Sequence, residues 1–183
     1  DGFWNLCCIG DPLYNWRILD MKKRILLFFL VLFGFFWSSS VDAATPAVND
    51  EAGLFTQEQI QSLEQQIQPI DEKIKGQIFI VTTTSNSEEP RTFADDYLRN
   101  AIGNDQNGAV LLLDMGQREI YISTSGNMID YLDDARINDT LDDVYDQMTN
   151  SAYFAAAQAY LTKTSEYVEA GVPGGHYQID EET

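Results

Sequence analysis

The chain predicts an α/β fold, a three-layer α/β/α sandwich around a small central sheet. Three observations point there. Ile78-Phe-Ile-Val81 and Ala109-Val-Leu-Leu-Leu113 are apolar runs without polar alternation, as strands buried on both faces require. Ile60, Leu63, Ile67, Ile70 and Ile74 recur at helical spacing. Helix and strand patterns then follow in the order helix, strand, helix, strand hairpin, helix, helix.

Asn49 to Phe55 reads as a polar lead-in. Thr56-Gln-Glu-Gln59 has capping-box form and opens the first helix. Pro69 kinks that helix or splits it, and Gly76 ends it. Gln77 to Thr84 is the first strand and Ser85 to Pro90 a polar loop. Thr92 to Ile102 returns to helical spacing through Phe93, Tyr97, Leu98 and Ile102. Gly103 to Gly108 is a dense turn cluster before the second strand. Asp114 to Arg118 is a turn, and Glu119 to Thr124 a third strand that pairs back as a hairpin. Ser125-Gly126-Asn127 opens a helix from Met128 to about Ala135. Asn138-Asp139 restarts it, with Leu141, Val144 and Met148 inward. Ala155 to Val168 is a last, Ala-rich helix with a close-packing face.

Upstream, Met21 to Ala44 has the plan of a secretory signal peptide. Lys22, Lys23 and Arg24 precede an apolar core from Ile25 to Trp37, and Val41-Asp42-Ala43 is a small-residue cleavage pattern. The apolar core is shorter than the ~20 residues that span a bilayer; the alternative is an uncleaved anchor. The expected location is extracytoplasmic, secreted or held at the cell envelope. Residues 1–20 do not fit this plan and read as an over-extended gene start or a translated upstream fragment. The expected organisation is therefore 1–20 artefact, 21–43 signal peptide, 44–170 domain, and 171–183 the start of a linker toward a longer parent, with a membrane span in it as one continuation.

Both cysteines, Cys7 and Cys8, precede the signal. From Ala44 onward there is no disulfide framework, thiol nucleophile, thiolate metal site or lipidation cysteine. The same span holds 7 Lys or Arg against 25 Asp or Glu, a net −18 that equals the charge of the whole chain. Such a surface does not grip nucleic acid. It attracts divalent cations or basic partners, or simply keeps the protein soluble.

Several motifs occur in order: Asp50-x-Ala52-Gly53-Leu54-Phe55, the run Gln77 to Val81, Asn107-Gly108-Ala-Val-Leu-Leu-Leu113, Arg118-x-Ile120-x-Ile122-x-Thr124-x-Gly126, and Leu132-x-Asp134-Ala135. Together they resemble the TPM domain family over about Asn49 to Ala170. That family includes thylakoid-lumen proteins linked to photosystem II repair, an acetylcholine-receptor modulator and many exported bacterial proteins. The Gly-Gly-His-Tyr after the last helix is also similar to bacterial members, which often continue into a transmembrane helix. The resemblance implies a compact α/β/α sandwich. It also implies divalent-metal binding and, from claims for some plant members, an acid phosphatase activity.

The candidate site is the Gly103–Gly108 loop. Asp105 and Asn107 offer oxygen ligands two residues apart, and Asp50 and Asp134 belong to the matched motifs. Convergence of these four would suit Ca2+, or Mg2+. The alternative for Asp105 and Asn107 is a turn that satisfies its own backbone. An EF-hand is rejected, since Gly103 falls where a carboxylate is required and a strand follows. No organic cofactor is expected. Phosphatase chemistry finds little support: the one histidine, His176, lies in the tail, and no P-loop or Ser/His/Asp set is present. Arg118 can contact a phosphate or cap the hairpin turn. The run Asp130, Asp133, Asp134, Asp139, Asp142, Asp143 and Asp146 reads mainly as solvated helix faces, with Asp139, Asp142 and Asp143 complementing a helix start; a docking basic partner is a secondary reading. The function expected is an extracytoplasmic module for assembly, quality control or interaction with a membrane or envelope protein, the alternative a metal-dependent acid phosphatase.

Overall fold

In a computed structural model of the chain, residues 45–174 are described. The expected signal peptide, the upstream segment and most of the tail, His176 included, lie outside them. Among the described residues no helix is long and apolar enough to cross a membrane.

The elements run β1 (Val48–Asp50), α1 (Gln57–Ile74), β2 (Gln77–Thr83), α2 (Pro90–Ile102), β3 (Gly108–Asp114), β4 (Glu119–Ser125), α3 (Met128–Tyr131), α4 (Asp134–Thr149) and α5 (Tyr153–Ala170). The sheet order is β1-β2-β3-β4. β1, β2 and β3 are parallel, in register Asp50 to Thr82 and Gln77 to Gly108. β4 returns antiparallel to β3, Asp114 opposite Glu119. The three-layer α/β/α sandwich is thus observed.

Strand alternation divides the core. Ile78, Ile80, Ala109, Leu111, Leu113 and Ile122 face a layer built from α1, α4 and α5, where Leu63, Ile67, Val144, Ala157 and Tyr160 pack on them. Phe79, Val81, Val110 and Leu112 face the other way, onto Ala94 and Leu98 of α2. This is why β2 and β3 read as unbroken apolar runs: both faces are covered. It also has a topological cost. The crossovers β1-α1-β2 and β2-α2-β3 step in the same direction across the sheet but lie on opposite faces. They cannot share a hand, so one is left-handed, against the strong general preference.

Local chemistry explains most boundaries. Thr56 and Gln59 form the expected capping box at the start of α1. Pro69 neither splits nor ends this helix, which continues to Ile74. The left-handed C-cap is Lys75 at φ 51, not Gly76. Gly76 is required for a different reason: a Cβ there would stand 2.1 Å from the Asn107 carbonyl oxygen. α2 begins at Pro90, which suits the first helical position because its missing N–H would have no partner there. The helical break falls at Leu132-Asp133 rather than at Asn138. The Asp133 side chain accepts from the Arg136 N–H at 2.9 Å and caps α4. Asp139 and Asp143 therefore sit inside α4, where they pair with Lys163 of α5 at 2.7 and 3.3 Å instead of complementing a helix start.

One strand escaped the sequence reading. The supposed polar lead-in overlaps β1, which at three residues is too short to show a period. Arg136 has a part of its own. It donates to the carbonyls of Tyr131 and Gly171, each at 2.8 Å, and lies over the Tyr167 ring at 4.7 Å. The end of α5 is thereby held to the start of α4.

Asp71, on the last turns of α1, ties that helix to β2 by accepting from the Ile78 N–H at 2.7 Å. Burial pushes its carboxyl up to about 6, against the counteracting pull of that hydrogen bond. The native form therefore holds the proton more tightly than the unfolded chain. Charge on Asp71 opposes folding fully above pH ~6, and the opposition fades to nothing as pH falls toward ~4. Solvent reaches this half-buried group, which limits the effect to about 1 kcal/mol. Asp71→Asn keeps the acceptor and removes the charge. It is expected to stabilise the protein by about 1 kcal/mol at pH 7.5 and to match the parent near pH 4, as read from urea unfolding across that range. A gain independent of pH would show that the charge is not the cause.

Candidate functional site

The five residues singled out in the sequence do not come together at one place. Asn107 stands at the amino end of β3. Its Nδ2 donates to the Ile74 carbonyl at 3.0 Å and, more weakly, to that of Lys75 at 3.4 Å. Its Oδ1 accepts from the Asn127 N–H at 3.0 Å, and its carbonyl accepts from Gln77 N–H at 3.0 Å. Asn127 Nδ2 donates to the same Ile74 carbonyl at 3.0 Å. One residue thus joins the end of α1, the starts of β2 and β3, and the turn after β4. Gly126 (φ 60) passes so close that a Cβ would be 2.4 Å from Asn107 Oδ1.

Asp105, two residues away, is exposed and left-handed at φ 58. It borders a small cleft of about 180 Å³ with Asp95, Arg99 and Ser123. There Ser123 Oγ donates to Asp95 at 2.6 Å.

Asp50 is at the opposite end of the sheet. β1 ends level with Thr82, five residues along β2 from the level of Gly108, or about 17 Å at strand rise. Its two oxygens accept from the Leu54 and Phe55 N–H groups at 3.0 and 2.9 Å and from the Thr82 hydroxyl. It closes the turn into α1. Asp134 is the exposed first residue of α4. Arg118 is the left-handed last residue of the β3–β4 turn, φ 61.

Asp50, Asp105, Asn107 and Asp134 are therefore not gathered around one point. The side-chain oxygens of Asp50 and Asn107 are already engaged by backbone N–H groups. Among the described residues no three His, Cys, Asp or Glu side chains converge where they could hold a metal ion. The residues named for Ca2+ or Mg2+ do not fit such an ion as a set.

The carboxyl ends of the parallel strands are where open α/β sheets gather ligands, and there the structure assembles groups the sequence reading passed over. Glu51, just past β1, accepts from Thr83 Oγ1 at 2.8 Å and Ser85 Oγ at 2.6 Å. These hydroxyls, Ser85 foremost, hold its carboxyl below the usual range, while slight desolvation and the nearby Asp114 charge push the other way. Asp114 is buried at the end of β3. It accepts from Asn86 Nδ2 at 2.8 Å and from the Gln117 N–H at 2.9 Å. Gln117 Nε2 also donates to the Glu88 carbonyl at 2.6 Å. The β2–α2 loop is in this way laced to the hairpin turn. Two signals pointed here: the Thr82-Thr83-Thr84 run and an aspartate closing an apolar strand.

Beyond this edge a groove of about 830 Å³ opens between the hairpin turn and the corner where α4 meets α5. Met115, Ile120, Tyr145, Met148 and Tyr153 supply apolar walls, and Arg118 is the one basic side chain among those lining it.

With the sheet order and its polar edges in place, the likeness to known proteins has structural content. The TPM domain model matches residues 48–167, from β1 to near the end of α5. The chain belongs to the TPM domain family. It is 29% identical over 130 residues to UPF0603 protein YdjH of Bacillus subtilis, covering 70% of this chain and 49% of that protein. The chain thus spans about half the length of this curated relative. Among solved structures, the N-terminal domain of a protein from P. gingivalis superposes with a TM-score of 0.64 at 19% identity, covering 75% of this chain and 90% of that one. The N-terminal domain of cg2496 from Corynebacterium glutamicum gives 0.57 at 15%, covering 80% and 95%. The BA42 protein of Bizionia argentinensis gives 0.56 at 15%, covering 70% and 90%. At such identities the likeness is one of fold.

The contrast between Asn107 and Asp105 is testable by stability. Asn107→Ala removes the acceptor of Asn127 N–H and a donor to Ile74, and is expected to cost about 3 kcal/mol in urea unfolding. Asp105→Asn, which tolerates the left-handed backbone, is expected to change stability by no more than about 0.5 kcal/mol. Equal costs would refute the assignment of Asn107 as the structural joint.

Proposed function

We propose that this TPM-domain chain is an exported, non-catalytic module that works at the outer face of the membrane by binding another envelope protein. The observation that carries the reading is the engagement of its polar residues. Asp50, Asp114 and Asn107 each turn their side-chain atoms onto the protein's own backbone and amides. A catalytic group must instead present its atoms to a substrate. The signal-peptide pattern before Ala44 and the −18 net charge support export and a basic partner.

Two measurements separate this reading from a metal-dependent acid phosphatase. Chemical crosslinking of the expressed chain in intact cells is expected to yield a discrete adduct with an envelope protein; its absence would overturn the module. A chromogenic phosphomonoester assay with Ca2+, Mg2+ or Mn2+ is expected to give no turnover above a protein-free control. Turnover that Asp114→Asn abolishes, with the fold intact by circular dichroism, would establish the enzyme instead.

A further inference from the structure

We propose that the groove between the β3–β4 turn and the α4–α5 corner docks a basic segment of a partner protein that inserts one apolar anchor. This rests on the module reading above and names the surface and partner chemistry it lacks.

The walls have the make-up of a docking pocket. Met115 comes from the hairpin turn, Ile120 from β4, Tyr145 and Met148 from α4, and Tyr153 from α5. Tyr and Met are enriched where proteins meet, because they offer large apolar area with a polar or adaptable end. Tyr145 is 61% exposed, far more than the interior demands of a residue its size. The groove, at about 830 Å³, exceeds the clefts of about 590 and 180 Å³ at the amino end of the sheet. It is roomy enough for an aromatic or branched side chain and its flanking backbone.

Charge decides between occupants. Asp142 lies three residues before Tyr145, on the same side of α4, and Asp146 directly follows it; both are exposed. Glu119 lines the groove itself. Carboxylates in and beside an apolar slot match a segment with Lys or Arg flanking its anchor. A second copy of this chain would bring another net −18 to the contact, and an anionic lipid surface would be repelled in the same way. Arg118, at the hairpin end, stacks on or pairs with the segment only where it carries an aromatic or carboxylate group.

The test uses the full chain and a fluorescein-labelled peptide, Lys-Arg-Lys-Phe-Leu-Lys-Arg-Lys, followed by fluorescence anisotropy. Saturable binding is expected, weakened by added NaCl and at least about tenfold by replacing Phe-Leu with Ser-Ser. Tyr145→Ser should weaken it by a similar factor, and Tyr145→Phe should retain it. Tyr145 is exposed, so both variants leave the core untouched. Equal binding of the Ser-Ser peptide, or undiminished binding by Tyr145→Ser, would overturn the proposal as charge attraction without a pocket. Stronger binding of Glu-Asp-Glu-Phe-Leu-Glu-Asp-Glu would overturn it in favour of an acidic partner at Arg118. Sedimentation showing a dimer that Tyr145→Ser dissolves would assign the groove to a second copy. A crosslinked envelope partner that survives Tyr145→Ser would sink the groove and leave the module reading standing; a partner that Tyr145→Ser removes would support both, and no crosslinked partner with the unmutated chain would sink both.

Discussion

Asn107 is the joint on which this architecture depends. Parallel strands cannot be linked by a tight hairpin, so β1, β2 and β3 are tied together only through long crossovers. The sheet's amino end is consequently a place where several chain segments stop or start with unpaired backbone groups. A single amide, presenting two donors and an acceptor, meets the Ile74 carbonyl on one side and the Asn127 N–H on the other. Gly76 and Gly126 lack the Cβ that would block the approach. An aspartate would keep the acceptor and lose the donors, and a leucine would leave buried polar groups bare.

The opposite edge follows the same logic with different groups. Glu51, Thr83 and Ser85 interlock, as do Asp114, Asn86 and Gln117, so loops that would otherwise move are bound to strand ends. A site of this kind gains order at the expense of availability. Asp50 and Asp114, which look chemically ready in the sequence, are acceptors for the fold. The surface left open is apolar and acidic, lying where the hairpin turn meets α4 and α5. Recognition of another chain suits such a surface better than bond-making does.

Much of the fold was legible because its signals are local. The capping box at Thr56, the α1 stripe and the two unbroken strands each report their own structure within a short window. β1 was not legible: three residues carry no period, and their pairing with Ile80 to Thr82 is decided 32 residues away. The same distance defeated the site. Asn107 and Asp105 sit in one turn and look alike as ligands. What separates them is that Ile74 and Asn127 come to meet only the first, and nothing in the loop's own sequence reports that meeting. The matched motifs contributed Asp50 and Asp134 and the loop contributed Asp105 and Asn107 to one candidate set, yet Asp50 and Asn107 stand at opposite ends of the sheet.

Arg136 carries a mechanical consequence. The chain leaves α5 at Gly171, and that carbonyl is gripped by a guanidinium that also holds Tyr131 and lies against Tyr167. Tension applied through the following residues meets this clasp before it reaches the helix. The load passes across to α4 and the α3–α4 junction rather than peeling α5 away turn by turn. Pulled from that point, the domain would resist being unzipped from its end, and the groove at the far end of α4 and α5 would stand away from the load.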